Sequence, residues 1–359
     1  MSKQIIVPFG PQHPVLPEPI HLDLVLEDER VIEAIPSIGY VHRGLEKLVE
    51  KRDYKDYVFI SERICGICSF IHGSTYCQAV EQVMNIDIPR RAEFLRAIWS
   101  EYSRMHSHLL WLGCFADSMG YENLFMNCWK VREKILDVME RTTGGRIIQG
   151  VNRVGGVSRD ISREELARMG TELHGLQTDF AELTRIFDED LTVQTRTKGV
   201  GMLPKDMAWE LGAVGPVIRG SGHSVDARST GYGAYDELDF KPVVRNEGDC
   251  HARCMVRTGE LFTSIDLIEN AIDRIPEGDI SVPVKGNPAG EYYARTEQPR
   301  GEVIHYVKAN GKKNLMRHRV RTPTLANVPP LVHMLAGCEL ADVPVIVLTI
   351  DPCIGCMER

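Results

Sequence analysis

The sequence has no run of about 18 apolar residues, the length a membrane-crossing helix needs. Its longest candidate, residues 343–350, has the length of a strand, so action at a membrane would require a partner to hold the chain there. No apolar segment follows Met1-Ser2-Lys3-Gln4, so nothing marks the chain for secretion. No block of basic residues occurs and the net charge is −8, which argues against a nucleic-acid surface. The Gly-rich stretch at residues 143–159 lacks G-x-x-x-x-G-K and is not a phosphate loop. Apolar content, at 43%, is ample for a core in one large domain or two. Cysteine is plentiful at ten residues, and without a secretory signal the expected compartment is the reducing cytoplasm. Grouped cysteines there bind metal more often than they form disulfides.

Two groups stand out, at opposite ends of the chain. The first is Arg63-Ile64-Cys65-Gly66-Ile67-Cys68, followed by His72; the second is Asp351-Pro352-Cys353-Ile354-Gly355-Cys356. A C-x-x-C brings two thiolates within reach of one metal, and Gly permits the tight turn between them. A single pair can equally be core packing or a redox dithiol. Two pairs make a soft four-sulfur site suited to zinc, to an Fe–S cluster, or to nickel and iron. His72 lies one helical turn beyond Cys68, on the same face, and can donate a hydrogen bond to a metal-bound sulfur.

Along the chain, residues 4–9 read as a strand and Pro8, Pro11, Pro14, Pro17 and Pro19 then impose an extended path that carries Glu18. Residues 21–35 read as two strands with a turn at 27–30, and residues 39–51 as a helix start whose apolar stripe is interrupted by Glu46. The first cysteine pair is expected at a helix N-terminus, where amide dipoles favour thiolate. Pro89 opens a helical region to about residue 142, in which Phe94, Ile98, Tyr102, Met105, Leu109 and Leu112 recur at helical spacing. Residues 161–191 and 255–272 read as further helices, residues 199–249 as irregular, and residues 280–320 as β with turns near 286–288 and 310–311. A helix at 327–340 and a strand at 343–350 then deliver the second pair. The expected fold class is α+β, mainly helical, with a central helix bundle and small flanking sheets. We expect one domain over 1–359, comprising a β/loop part (1–52), a helical part (53–275) and a β/α part (276–359).

The pairing of R-I-C-G-I-C-x-x-x-H with D-P-C-I-G-C resembles the large subunit of nickel–iron hydrogenases. Phe9-Gly10-Pro11-Gln12-His13-Pro14, Tyr40-Val41-His42-Arg43-Gly44-Leu45-Glu46, Arg219-Gly220-Ser221-Gly222 and Gly248-Asp249-Cys250 resemble its energy-converting, membrane-bound branch. They also resemble the related quinone-site (49 kDa) subunit of respiratory complex I. The resemblance covers the whole chain and implies the nickel–iron hydrogenase large-subunit fold. It implies that Cys65 and Cys353 bind nickel terminally, that Cys68 and Cys356 bridge nickel to iron, and that iron carries CO and cyanide. It implies that Glu18 relays a proton from Cys353, and that Arg300, after Pro299, sits over the open side of the metals, held by Asp351. Pro323 and Thr324 match a second cradle whose hydroxyl bonds a cyanide, and Glu46 matches an oxygen ligand of a second cation, Mg²⁺ or Fe²⁺. Arg359 stands where the family usually has a metal-binding His, and the chain resembles the processed form. Cys250 and Cys254 fall in a segment that holds no metal in the complex I subunit.

The implied partners are a small Fe–S subunit, a ferredoxin and integral membrane subunits that move ions, with this chain peripheral on the cytoplasmic side of the membrane. One rival reading is a quinone-site subunit of a complex I-like enzyme, with His13 at the quinone; another is a structural zinc site.

Overall fold

The computed structural model describes residues 4–359; the first three residues, read above for the absence of a leader, lie outside it. Gln4–Phe9 (β1), His21–Glu27 (β2) and Arg30–Ser37 (β3) form an antiparallel sheet in that order. In β2, Leu22, Leu24 and Leu26 are buried and the residues between them are not, the period of two that one covered face requires. Leu45–Leu48 (α1), Tyr57–Glu62 (α2) and Ser69–Met84 (α3) lead into Arg90–Ser118 (α4) and Glu122–Thr143 (α5). Two short paired strands, Asn152–Arg153 (β4) and Gly156–Val157 (β5), precede Arg163–Glu189 (α6). Leu191–Thr197 (α7), Lys205–Glu210 (α8) and Pro216–Arg219 (α9) lead to Cys250–Arg274 (α10). Ala289–Gln298 (β6), Gly301–Asn310 (β7) and Arg317–Arg321 (β8) form a second three-stranded antiparallel sheet. Pro323–Ala326 (α11), Val328–Leu335 (α12), Val343–Thr349 (α13) and Ile354–Glu358 (α14) complete the chain.

Helices α4, α5, α6 and α10 make the bundle, with the small sheets at its flanks, so the fold is α+β and mainly helical. The apolar stripe of α4 is fully buried. One break divides the expected 89–142 helix: the chain turns at Gly120, where φ is +77°, and restarts as α5. In α6, Leu166, Met169, Leu173, Leu176, Phe180, Leu183 and Phe187 are buried at alternating spacings of three and four, and Phe180 meets Phe262 of α10 edge-on. Each such side chain contributes about 1.5–3 kcal/mol. Ser162 caps α6 by accepting from the Glu165 amide, and Asp249 caps α10 by accepting from the Ala252 amide.

Two expectations are corrected. Residues 343–350 form helix α13, not a strand. Val343, Val345, Ile346, Val347 and Leu348 are all buried, so the run has no periodicity to read; Pro344 starts the helix. Trp111 Nε1 and Arg257 Nη2 donate to the carbonyls of Leu348 and Thr349 at its end. The helix expected over 39–51 shrinks to α1. The amides of Arg43, Gly44 and Leu45 instead donate to Arg359 O, while those of Gly39 and Val41 donate to the Glu358 carboxylate at 2.6 Å.

A buried charge network ties the bundle to the end of β6. Arg219 donates to Glu260 at 2.7 and 3.0 Å and to Glu297 at 2.8 Å, and lies 3.1 Å from Asp226. Arg228 joins Asp226 to Glu101, which Arg104 also meets, and Arg104 donates to Glu297 O. Removing Arg219 leaves three carboxylates with less compensation where water does not reach. Arg219→Met should therefore lose about 3–5 kcal/mol of unfolding free energy. Arg185→Met, which breaks an exposed pair with Glu189, should lose less than about 1 kcal/mol. Denaturant titration of both variants checks this, and equal losses would contradict it.

Candidate metal centre

Helix α2 ends at Glu62 and the chain turns through residues 63–67 so that Cys68 immediately precedes α3. Cys353 likewise immediately precedes α14. The two pairs meet. Cys65 Sγ lies 3.6 Å from Cys353 Sγ, and the sulfurs of Cys65, Cys68 and Cys356 lie within 4.8 Å of one another. All four are buried free thiols. The Ile67 and Cys68 amides donate to Cys65 Sγ at 3.4 and 3.2 Å.

Burial alone would raise the Cys65 pKa, but hydrogen bonds from Cys353, Cys356 and Cys68 and the charge of Arg300 hold it well below the usual thiol range. Burial pushes Cys68 and Cys356 well above it. Four sulfurs this close cannot all ionise on protein groups alone. A soft bimetallic cation centre would let them, and the donor set fits nickel and iron.

Arg300 occupies the two-residue turn between β6 and β7, after the buried Pro299. Its Nε donates to Asp351 O at 2.8 Å and its Nη2 meets Asp351 Oδ1 at 2.9 Å. Its Nη1 lies 3.9 Å from Cys65 Sγ and 3.8 Å from Cys68 Sγ. Thr324, behind Pro323 at the start of α11, accepts from the Cys353 amide at 3.2 Å and keeps its own hydroxyl hydrogen to give. His72 Nε2 lies 3.1 Å from Cys356 Sγ, and burial lowers its pKa to about 4, so it is neutral. Glu18 accepts from the Gly355 amide at 3.1 Å, in the first turn of α14 between Cys353 and Cys356. A Cβ at Gly355 would stand 3.0 Å from Glu18 Oε1, so glycine is what lets that carboxylate approach.

Glu46 is placed differently from a cation ligand. Its oxygens accept from Arg319 at 2.8 Å, from Arg359 at 3.1 Å and from the Val320 amide at 2.9 Å. Burial works to raise its pKa, but these donors lower it overall. Two guanidinium groups stand where a divalent ion would need ligands, so the donor set does not fit a second cation.

Sequence reasoning missed three contributors. Gln298 accepts from Cys68 Sγ at 3.5 Å, and among the described residues its own buried Nε2 has no partner, nor has Asp351 Oδ2. Thr322, next to Pro323, has a buried hydroxyl without a partner among the described residues. Gly215, with φ +67°, lets the backbone pass the turn: a Cβ there would lie 2.3 Å from Arg300 O. Gln298 adjoins the Pro299-Arg300 motif and could have been suspected; Gly215 had no local signal. Cys250 packs against Arg253 and Thr349 rather than beside the central sulfurs.

Glu62, three residues before Cys65, is fully buried against Gly73. Burial raises its pKa from 4.5 to about 7, against the lowering effect of Asn152 and Arg63. The folded protein therefore binds the extra proton between those values, and stability falls as pH rises through that window. Above it the cost is of order 3 kcal/mol. Glu62→Gln should match wild type below about pH 4.5 and exceed it by roughly that amount at about pH 8. Parallel denaturation profiles against pH would contradict this.

The family model described as respiratory-chain NADH dehydrogenase, 49 kDa subunit, matches residues 118–287 and 283–359, and the nickel-dependent hydrogenase model matches residues 43–114. The chain is 38% identical to the membrane-bound hydrogenase subunit alpha of Pyrococcus furiosus, over 98% of this chain and 87% of that one. It is 37% identical to the carbon monoxide-induced hydrogenase of Rhodospirillum rubrum, over 98% and 99%. A chain in the solved structure of the membrane-bound sulfane sulfur reductase, an archaeal respiratory membrane complex, superposes with a TM-score of 0.94 at 30% identity, over 99% and 98%. With relatives this similar over almost its whole length, the chain belongs to the family of membrane-bound nickel–iron hydrogenase large subunits and the related complex I 49 kDa subunits.

Proposed function

We propose that this chain is the catalytic subunit of a [NiFe] hydrogenase, which interconverts H₂ with two protons and two electrons. The observation that carries this is the convergence of four buried sulfurs, from both ends of the chain, beneath one buried guanidinium. Cys65 and Cys353 would hold nickel, Cys68 and Cys356 would bridge it to iron, and iron would carry CO and cyanide. Bound there, the two metals supply the redox chemistry that breaks or makes the H–H bond.

The chain's own groups do the rest. Arg300, fixed by Asp351, is a permanent cation over the open side; it orients an anionic ligand without reorganising. Pro299, Pro323 and the Thr324 hydroxyl wall the pocket for small diatomic ligands. Glu18, reaching the first turn of α14 beside the second pair, takes a proton from Cys353. His72 fixes the Cys356 sulfur.

Electrons leave through an Fe–S cluster on a small partner subunit. The other cysteines do not assemble into a cluster site among the described residues; burial pushes Cys114 to about 11 and Cys128 to about 12. Ferredoxin is the electron carrier, and membrane subunits couple the reaction to ion movement. Among the described residues no helix is long and apolar enough to cross a membrane. Ile5, Ile6, Ile32 and Ile35 of the β1–β3 sheet are exposed apolar side chains.

The match to the 49 kDa model over residues 118–359 favours a second reading, a quinone-site subunit with His13 at the quinone. Four converging sulfurs have no use there. A structural zinc site would have no use for Arg300 above the sulfurs. Elemental analysis with infrared spectroscopy decides: nickel, iron and bands of iron-bound CO and cyanide support the proposal. Absence of metal with quinone reductase activity, or zinc alone, overturns it.

A further inference from the structure

The buried charge network around Arg219 does not balance. Its members are Glu101, Arg104 and His108 of α4, Arg219 of α9, Asp226 and Arg228 just after it, Glu260 of α10, and Glu297 at the end of β6. None is more than 5% exposed. Four carboxyls face three guanidinium groups and one imidazole. With every carboxyl ionised and His108 neutral, the network carries one net negative charge where water does not reach. A buried uncompensated charge is costly, and one added proton removes it.

The geometry limits where that proton sits. His108 Nε2 lies 2.8 Å from Glu260 Oε2, while its Nδ1 is buried without a partner among the described residues, so a second N–H there would go unpaired. Burial lowers the His108 pKa below 6.5, against the pull of Glu260. Glu101 is met by Arg104, Arg228, Tyr235 and Ser264, and Glu260 by two nitrogens of Arg219. Arg219 Nη1, by contrast, has two hydrogens and three acceptors: Glu297 Oε1 at 2.8 Å, Val225 O at 2.9 Å and Asp226 Oδ2 at 3.1 Å. Asp226 also holds Arg228 through two bonds, whereas the second oxygen of Glu297 accepts from the Ala227 amide. Two carboxylates that converge on one site do not both ionise freely, and the less well served one keeps the proton. Burial works to raise all four carboxyls; the guanidinium groups prevail at Glu101, Asp226 and Glu260, whose pKa values are lowered. At Glu297 burial, and then the charge of Asp226, prevail over Arg219 and raise the pKa to about 7.

We propose that Asp226 and Glu297 share one proton, seated on Glu297, and that its exchange switches the charge behind the Arg300 turn. The link to the metal centre rests on the hydrogenase reading above. Glu297 directly precedes Gln298, whose side chain reaches Cys68 Sγ, and then the Pro299-Arg300 turn. Successive strand residues point to opposite faces, so the Glu297 carboxyl stands on the side of β6 away from the sulfurs. On that side lies a cavity of about 520 Å³, lined by Ser100, Thr230, Tyr232 and Tyr235 among others. The Tyr232 hydroxyl accepts from the Glu297 amide at 3.2 Å. A hydronium ion in the cavity gives up one proton, an O–H bond forms on Glu297, and water remains. The pair passes from two negative charges to one, the network from one to none, and no electron moves.

The test is difference infrared spectroscopy across pH on the intact complex, in a Glu62→Gln background so that the other carboxyl titrating near 7 is silent. A carboxylic-acid carbonyl band should shrink as pH rises through about 7, and Glu297→Gln should remove it. Asp226→Asn takes away the neighbouring negative charge and should weaken proton binding at Glu297 about tenfold or more, moving the band's midpoint to lower pH. If Glu297→Gln does not fold, this displacement decides. The bands of iron-bound CO should shift with the same midpoint, and Glu297→Gln, with its nickel retained, should lose that component. A carbonyl band that survives Glu297→Gln, or a midpoint unmoved by Asp226→Asn, overturns the shared proton. Bands of iron-bound CO that follow pH in Glu297→Gln as in wild type overturn the switch. A wild-type complex without nickel or H₂ activity instead overturns the functional reading on which the link rests.

Discussion

Cys353→Ser should abolish H₂ turnover and remove nickel from the protein while leaving the fold intact. Serine is slightly smaller than cysteine and the site is buried, so packing tolerates the change. The hydroxyl, however, stays protonated near neutral pH and is a hard donor where a soft thiolate is needed. Losing a group that only orients a ligand typically costs 10–100-fold, and losing the ligand should exceed the upper end of that range. Nickel content and H₂-dependent reduction of an artificial dye check it. Under the quinone reading Cys353 has no chemical role, and the variant would keep its activity. A Cys353→Ser protein with full nickel content and more than about a tenth of wild-type turnover would contradict our assignment.

Arg300→Lys should reduce kcat by about 10²–10³-fold with both metals retained. Lysine keeps the charge but not the fork. Arg300 uses Nε and Nη2 on Asp351 and still presents Nη1 to Cys65 and Cys68. A single ammonium cannot hold Asp351 and face the sulfurs together. Because the guanidinium does not contribute to the four-sulfur ligand set, infrared bands should persist while turnover falls. Turnover within about twofold of wild type would show that Arg300 is not part of the reacting site.

These residues were legible for different reasons. The two cysteine pairs and His72 are local patterns: spacing alone puts two sulfurs, and then a donor one turn away, on one face. Helix α6 was legible because it has one wet face and one dry one. Helix α13 was not, because burial on every side erases the periodicity that separates strand from helix. The 39–51 segment was misread because its amides serve the distant Glu358 and Arg359 rather than a helix. The buried contacts of His305 with His72 at 3.0 Å and with His318 at 3.1 Å were invisible for a related reason. They depend on the β7–β8 register and on α3 lying across that sheet. Arg219 was noticed as part of a motif, but its three acidic partners come from positions 226, 260 and 297.

X-ray absorption at the nickel edge of the purified protein tests the central claim most directly. The account predicts nickel bound by sulfur from four cysteines with iron as a near neighbour. Nickel ringed by nitrogen and oxygen, or a four-sulfur site filled by zinc in fully active protein, would contradict it.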